Sequence, residues 1–436
     1  MMEIWIWIII AWLLSFVFLG KDKINFENII WLLLPVDMYG ISVSGATIKP
    51  YMIFSGVLLI RTLIKRDDLP HIKSKWLLTS GFWVISVFLI NLLNNQTSSA
   101  PKAALILIII WVCMVIYIDS CDQNVEKDIP NVVIATALGY GIIFIIAYVL
   151  MKGGVGLPGI IATTRTEPGI FMLTSNMYEG NLIQTYRLRG FTIDPNILIG
   201  TFAFGSVASI LKIAKGNGHI KEWLGLFVSG VCILISNSRM GIICLAILVI
   251  WSLIAGYRIA STRLKNIIKI GVLFGVIVCI IILIPTDALS VIYESVIDHY
   301  ENRSGLTDEN GRFTIWKNAI TVLLDKNALL GLGMGQVRYY TDVGKDCHNT
   351  WLALICENGI IVGGAFLIHF IILALKGLLF AYQNARKHSG VFVWNVTVST
   401  LIVMISLISV DHVAYSHLWF GAALLSALEG RQCEKI

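Results

Sequence analysis

Runs of about 20 consecutive apolar residues, the length a helix needs to cross the hydrocarbon core of a bilayer, recur from one end of the chain to the other. They fall near 4–20, 24–40, 48–64, 76–93, 102–118, 130–150, 191–213, 220–236, 240–257, 267–285, 348–376, 391–410 and 413–429, about thirteen spans. The second run is interrupted by Pro35 and Asp37, which leaves twelve as the alternative. Inside a bilayer each backbone polar group must find a partner within the protein, so such runs become helices. Of the 436 residues 57% are hydrophobic and 14% charged, too few charges to cover a water-facing surface. The expected fold is therefore all-α: a polytopic membrane helical bundle of about 12–13 transmembrane helices, one integral membrane domain over residues 1–436. The first run, Ile4 to Leu19, lacks a basic start and a small-residue cleavage site, and is expected to be retained rather than removed as a signal peptide.

Lysine and arginine in the short loops set the orientation. Arg61, Lys65, Arg66, Lys73 and Lys75 share one loop, Arg258, Arg263, Lys265 and Lys269 another, and Lys376, Arg386 and Lys387 a third. Alternating the spans places all of them on one face, while the opposite short connections hold only Lys49, Lys102 and Arg239. This predicts a bacterial cytoplasmic (inner) membrane protein with its amino terminus outside and its carboxyl terminus inside. The net charge of +6 is too small and too dispersed to suggest nucleic acid, but suits loops held at an anionic leaflet. Two connections, 151–190 and 286–347, are too long to be turns, and both fall on the extracytoplasmic face. In the second, Leu289, Ile292, Tyr293, Val296 and Tyr300 recur at helical spacing, as do Phe313, Trp316, Ile320 and Leu323 before Gly331, Gly333 and Gly335. Short amphipathic helices lying on the membrane or capping the bundle are expected there.

Seven of the thirteen arginines fall on the outer face, against the positive-inside tendency: Arg165, Arg187, Arg189, Arg239, Arg303, Arg312 and Arg338. A guanidinium offers a rigid fork of donors matched to phosphate oxygens and keeps its charge in any environment. As a set they suit a lipid-linked phosphate or diphosphate; singly, each is equally a headgroup contact or a salt bridge to Glu167, Asp194 or Asp308. Arg189 precedes a span that carries Pro195 and Asn196, where a broken helix can turn backbone groups toward a cavity. Arg239 sits in the polar hairpin Ser236-Asn237-Ser238-Arg239, and Arg312 begins the helix that carries Trp316.

His348 lies in Asp346-Cys347-His348-Asn349, where the second long loop meets a span. With Asp346 as N-cap, His348 would fall in the first helical turn, where the helix dipole favours a neutral ring able to accept a proton. The plainer reading is an interfacial histidine bonded to a neighbouring loop. Asp411 and His412 stand at another outer helix end as secondary members of a site. Glu357 and Cys347 lie at offsets that turn them away from His348, arguing against a dyad with either. The eight cysteines form no Cys-x-x-Cys pair and only Cys347 is placed at the outer surface, so neither a disulfide nor a zinc site is expected. There is no Walker-type phosphate loop, no cluster with metal-ligand spacing and no internal repeat, so a cofactor is not expected.

Taken in order, Arg189-Gly190-Phe191 through Pro195-Asn196, Ser238-Arg239, Gly311-Arg312 with Trp316, Gly331-Leu332-Gly333, and His348-Asn349 followed by Leu352, Glu357, Asn358 and Gly359 resemble the O-antigen ligase and O-antigen polymerase (Wzy-type) family. The resemblance covers mainly 185–365. Arg189 followed after ten residues by Gly200 matches a loop pattern described for polymerases, but the residue at that offset from Arg338 is Asn349, so the pattern does not separate the two branches. The resemblance implies a GT-C-like membrane glycosyltransferase with an undecaprenyl-diphosphate-linked glycan as donor. It further implies diphosphate binding by Arg189, Arg239 and Arg312 and assistance to the attacking hydroxyl by His348, with Arg187, Asn196, Arg303, Arg338 and Asn349 as secondary residues. The transfer would invert the anomeric centre without a metal. Membrane lipid, a chain-length regulator and a flippase are the partners this would bring.

The expected activity is polymerisation of an O-antigen, capsule or exopolysaccharide by transfer of a lipid-linked chain onto the next lipid-linked repeat unit. The near alternative is ligation of the finished glycan to lipid A–core or another terminal acceptor. From another class, a lipid-linked oligosaccharide flippase would show repeated halves and polar groups spanning both faces.

Overall fold

In a computed structural model, residues 2–20, 24–43, 46–66, 69–72, 74–93, 99–121, 125–164, 166–178, 181–259, 312–341, 344–384 and 388–433 are described. The fold is an all-α polytopic membrane bundle, as the apolar runs require. Its helices are α1 (Met2–Leu19), α2 (Ile30–Leu33), α3 (Pro50–Arg66), α4 (Lys75–Leu93), α5 (Ser99–Ser120), α6 (Val125–Lys152), α7 (Ile199–Ala214), α8 (Ile220–Ile235) and α9 (Arg239–Ile259). Beyond these come α10 (Arg312–Asn327), α11 (Val337–Tyr340), α12 (Thr350–Asn358), α13 (Gly364–Gln383), α14 (His388–Ser406) and α15 (Ser416–Cys433). Among the described residues seven helices are long and apolar enough to cross a membrane, counting α12 and α13 as one continuous element through the π-turn Gly359–Gly363.

Large apolar side chains cover the outside of the bundle as well as filling its interior. The peripheral α1 turns Ile6, Ile9, Leu13, Phe16 and Val17 outward, and α9 does the same with Ile242, Ile250 and Ile254. Helices α6 and α14 are enclosed, and small hydroxyl residues gather inside: Ser206 and Ser209 on α7, Thr397, Ser399 and Thr400 on α14. Lipid gives apolar side chains no reason to turn inward, so close helix contacts rely on small residues. Where α1 crosses α6, a Cβ on Gly139 would stand 2.7 Å from the Ala11 carbonyl oxygen.

The second apolar run does not form a regular transmembrane helix. A 3₁₀ turn (Phe26–Ile29) leads into the single turn α2, and the chain then runs irregularly to Gly40. Pro35 has no N–H to continue the helix, which explains the break. The freed carbonyls are satisfied by neighbours: Tyr140 Oη donates to Leu32 O at 2.6 Å and Ser416 Oγ to Leu34 O at 3.1 Å. Irregular backbone at membrane depth survives only when wrapped in protein, and Trp31, Leu32, Leu34 and Val36 are all buried.

Polar contacts segregate to two ends. The end bearing the basic loops holds Arg61–Glu27 (3.3 Å), Lys212–Glu222 (3.1 Å) and the bond from Asn25 N to Asp128 (3.0 Å). At the other end Trp7 Nε1 donates to Pro158 O at 3.2 Å, so the start of α1 shares a face with the first long loop. That loop carries a sheet: β3 (Ile161–Ala162) pairs in parallel with β4 (Phe171–Tyr178), which pairs antiparallel with β5 (Asn181–Leu188). A small hairpin, β1 (Ile41–Val43) with β2 (Ala46–Ile48), lies before α3.

In the second long loop α10 forms where helical spacing predicts it, but its buried face is Ile315, Ala319 and Leu323 rather than the line through Phe313 and Ile320. Phe313, Ile320 and Leu324 remain exposed, because the cluster of Cys347, Ala353 and Cys356 receives the other face. The expected helix through Leu289 and Tyr300 lies outside the described residues, as do Arg165 and Arg303.

Candidate active site

The site is organised around a strap between α14 and α15, where a 3₁₀ turn (Leu407–Ser409) opens into irregular chain up to Tyr415. Ser409 O accepts from Asn196 Nδ2 at 3.5 Å and from Arg312 Nη2 at 3.4 Å. One residue on, Val410 O accepts from Thr350 Oγ1 at 2.6 Å, and that hydroxyl accepts from His412 N at 3.0 Å. Tyr415 Oη donates to Ile197 O at 2.8 Å. A Cβ on Gly200 would stand 2.2 Å from the same Oη, so the glycine ten residues after Arg189 is required for packing.

Four segments thus meet at one place. Asp194 Oδ1 accepts from Asn196 N at 2.9 Å, closing an Asx turn that presents the Asn196 amide. Asn196 Oδ1 takes the hydroxyl of Ser238, and Ser238 Oγ in turn accepts from Gly241 N at 3.1 Å, capping α9. Arg239 follows at the first position of α9, its side chain exposed. Arg312, at the start of α10, is close enough to feel both Arg239 and Asp194. Desolvation holds its guanidinium below the ordinary arginine value; Asp194 opposes this and Arg239 adds to it. Among the described residues two guanidinium groups, Arg239 and Arg312, thus lie within electrostatic reach of each other and of the Asp194 carboxylate, a setting that a bound anion would suit.

His348 is half-buried on the turn that enters α12, with φ at 48°. Asn237, in the hairpin before Ser238 and Arg239, has φ at 47°. Among the described residues these are the two non-glycine positions in the left-handed region, and they flank the two motifs singled out from the sequence. Such strain costs on the order of 1–3 kcal/mol and persists where surrounding structure enforces it. Asp346 is not the N-cap. Asn349 takes that place, its Oδ1 accepting from Trp351 N (3.1 Å) and Leu352 N (3.2 Å), while Asp346 pairs with Arg338 Nε at 3.0 Å. His348 therefore precedes the cap instead of occupying the first turn. Trp316, one turn along α10 from Arg312, donates Nε1 to Cys347 O at 2.8 Å and so fixes α10 against the histidine turn. The Cys347 thiol is wholly enclosed; its hydrogen bond with Cys356 and burial push it well above the usual thiol range.

Arg189 has a different environment from Arg239 and Arg312. It is fully buried, with Nε donating to Gly169 O at 3.1 Å and Nη2 to Glu167 O, so its fork grips the turn before β4. Arg187 lies on β5 opposite Met172. The glycine motif and the Glu357-Asn358-Gly359 motif serve one another: Leu332 N and Gly333 N donate to the carbonyls of Cys356 and Glu357, both at 2.9 Å, and Gly335 N to Glu357 Oε1 at 2.7 Å.

One cluster escaped the sequence reading. Asp37 Oδ1 meets Lys49 Nζ at 2.6 Å, and its Oδ2 meets His412 Nε2 at 2.6 Å. Asp37 registered only as an interruption of an apolar run and Lys49 as a stray cation, yet an acid inside such a run is itself a functional signal. Through Thr350, two residues after His348, His412 is tied to the same strap that receives Arg312.

No curated protein matches the chain. Residues 224–368 match the family model described as O-antigen ligase. The matched segment contains Arg239, Arg312, Arg338, His348 and Asn349, and leaves Arg187, Arg189 and Asn196 outside it. This segment, on top of a polytopic helical fold, makes the chain similar to the O-antigen ligase family and supports a place with the O-antigen ligases and polymerases.

Proposed function

We propose that this protein is a polysaccharide polymerase of the bacterial cytoplasmic membrane, transferring a growing glycan from undecaprenyl diphosphate onto the next lipid-linked repeat unit at the extracytoplasmic face. The observation that carries the reading is the meeting at Asn196 of the Ser409 strap, which receives Arg312, and the Ser238 turn, which precedes Arg239, with the helix of Arg312 tied through Trp316 to the turn of His348. In the proposed step an acceptor hydroxyl oxygen bonds to the donor's anomeric carbon as the bond from that carbon to the diphosphate breaks. The leaving diphosphate's charge is taken up by Arg239 and by Arg312, the latter held in advance by the strap on a helix that Trp316 fixes. The hydroxyl proton passes to the imidazole of His348, a contribution of ~10²–10⁴-fold for a positioned general base. Arg189 holds the wall of the site through the Glu167–Gly169 turn.

The second reading is ligation to a terminal acceptor, favoured by the printed description of the matched family. Both readings use the same donor chemistry and differ in the acceptor. Purified protein in liposomes, given lipid-diphosphate-linked repeat units as the sole sugar source, should yield a ladder of lengthening chains on a gel. His348→Ala should abolish the ladder while leaving the unfolding temperature unchanged. An unchanged single band from the wild type with its cognate repeat unit would reject polymerisation, and full activity of His348→Ala would reject the base.

A further inference from the structure

At the end bearing the basic loops, remote from the Ser409 strap, the junction of α6, α7 and α14 encloses a cavity of about 400 Å³. Its deep wall is apolar, formed by Leu211 and Phe392 among others, and its mouth carries Lys127, Lys212 and Lys215 against the single acid Glu126. Lys212 is already matched, by Glu222 at 3.1 Å and by the Asn131 amide oxygen. Lys127 and Lys215 have no ion pair among the described residues.

His219, which lines the cavity, is the N-cap of the sixteen-residue helix α8, whose positive end is already met by the Glu222 carboxylate, Oε2 accepting from His219 N at 2.9 Å. A further feature favours an anion and is independent of surface charge. Asn395 is 2% exposed and lines the cavity; its Oδ1 accepts from Ser399 Oγ at 3.4 Å, while its Nδ2 has no hydrogen-bond partner. A buried amide donor without an acceptor is disfavoured, and here it faces a space that two unmatched ammonium groups also line.

We propose that this cavity is a binding site for a phosphate-bearing anion, held by Lys127 and Lys215 at the mouth and by the Asn395 amide inside. The combination of an apolar wall with a cationic rim suits the phosphodiester headgroup of an anionic lipid in the adjoining leaflet, as basic pockets between transmembrane helices do. A soluble phosphate ester offers the same oxygens without the apolar part.

The test is calorimetric titration of the full chain in phosphatidylcholine nanodiscs, once with dihexanoyl phosphatidylglycerol and once with glycerol phosphate. Saturable binding of the short-chain lipid is expected, and the Lys127→Ala/Lys215→Ala variant should bind it about 20- to 30-fold more weakly, on the scale of two lysines near an anionic headgroup. Both lysines are exposed, so the variant should fold normally. Asn395→Asp, which places a carboxylate against the phosphate, should weaken binding further. Binding of the lipid alone identifies a headgroup site; equal binding of glycerol phosphate, with the same loss in the variant, identifies a soluble phosphate ester. Absence of binding by either probe, or an affinity unchanged in the lysine variant, overturns the proposal.

Discussion

Arg189 and Arg312 look equivalent in the sequence, each a cation next to a glycine on the face that positive charge avoids. Their surroundings separate them. The guanidinium of Arg189 is spent on the Glu167 and Gly169 carbonyls, and shortening its fork to an ammonium strands at least one buried acceptor at about 1–3 kcal/mol. Arg189→Lys should therefore lower the unfolding temperature, with lost product tracking lost folded protein. Arg312 stands partly desolvated at the start of α10, and among the described residues its hydrogen bond to Ser409 O holds it in place. Arg312→Lys keeps the charge but not the two-pronged geometry, so turnover should fall by roughly 10²-fold, as when one preorganised donor is lost, with the unfolding temperature unmoved. Measuring initial rate and melting temperature on both variants checks the division, and a stable, slow Arg189→Lys would reverse it. The place of His348, where the long loop enters α12, was legible in the sequence. Its cap was not, because Asp346 and Asn349 are both good capping residues and only the partner of Asp346, Arg338, decides between them.

At the scale of elements, periodicity identified the regular helices and missed what replaces them where the chain is irregular. The 24–40 run was flagged by Pro35 and Asp37, but its path depends on Tyr140 and Ser416 supplying donors from α6 and α15, far away in sequence. The β4–β5 hairpin had a local signal, since Thr, Tyr and Ile residues lie on either side of Glu179-Gly180, yet an all-helical expectation leaves no place for it. The turn that joins β3 to β4 carries its own pH response. Glu167 Oε2 accepts from Thr163 Oγ1 at 2.6 Å, Thr163 N at 2.7 Å and Thr164 N at 3.2 Å, and these bonds hold its carboxyl below the ordinary value of 4.5. A depressed carboxyl stabilises the folded turn above its unfolded value, and that contribution disappears as pH falls through the folded value. Amide exchange at Thr163 and Thr164, corrected for intrinsic rates, should accelerate below about pH 4. Glu167→Gln should exchange fast at every pH; protection in that variant equal to wild type would remove the carboxylate from the account.

Across the whole molecule, one asymmetry of charge underlies both the expected orientation and the proposed site. Cations in short loops gather at one end, where Lys212 and Arg61 find acids, while the arginines that break the pattern are expected at the other, on the long loops and, for Arg239, in the α8–α9 hairpin. The strap from Ser409 to Tyr415 holds Arg312 and, through Asn196 and Ser238, the start of α9 that carries Arg239. It joins residues 194–197, 312, 350 and, through His412, 37, so no window of sequence contains the site. The chemistry proposed for it requires this end to face away from the cytoplasm, where lipid-linked repeat units await assembly. Cysteine labelling tests that requirement directly. Leu157 on the first long loop and His71 on a basic loop are both exposed. Cys113, Cys121, Cys232, Cys244, Cys347 and Cys356 are buried and should stay silent, and Cys279→Ser and Cys433→Ser remove the other two native thiols. In intact spheroplasts a membrane-impermeant maleimide should label Leu157→Cys, and should reach His71→Cys only after permeabilisation. The opposite pattern would put the arginine cluster in the cytoplasm, where positive loops belong, and would leave neither polymerisation nor ligation with a substrate on the right side of the membrane.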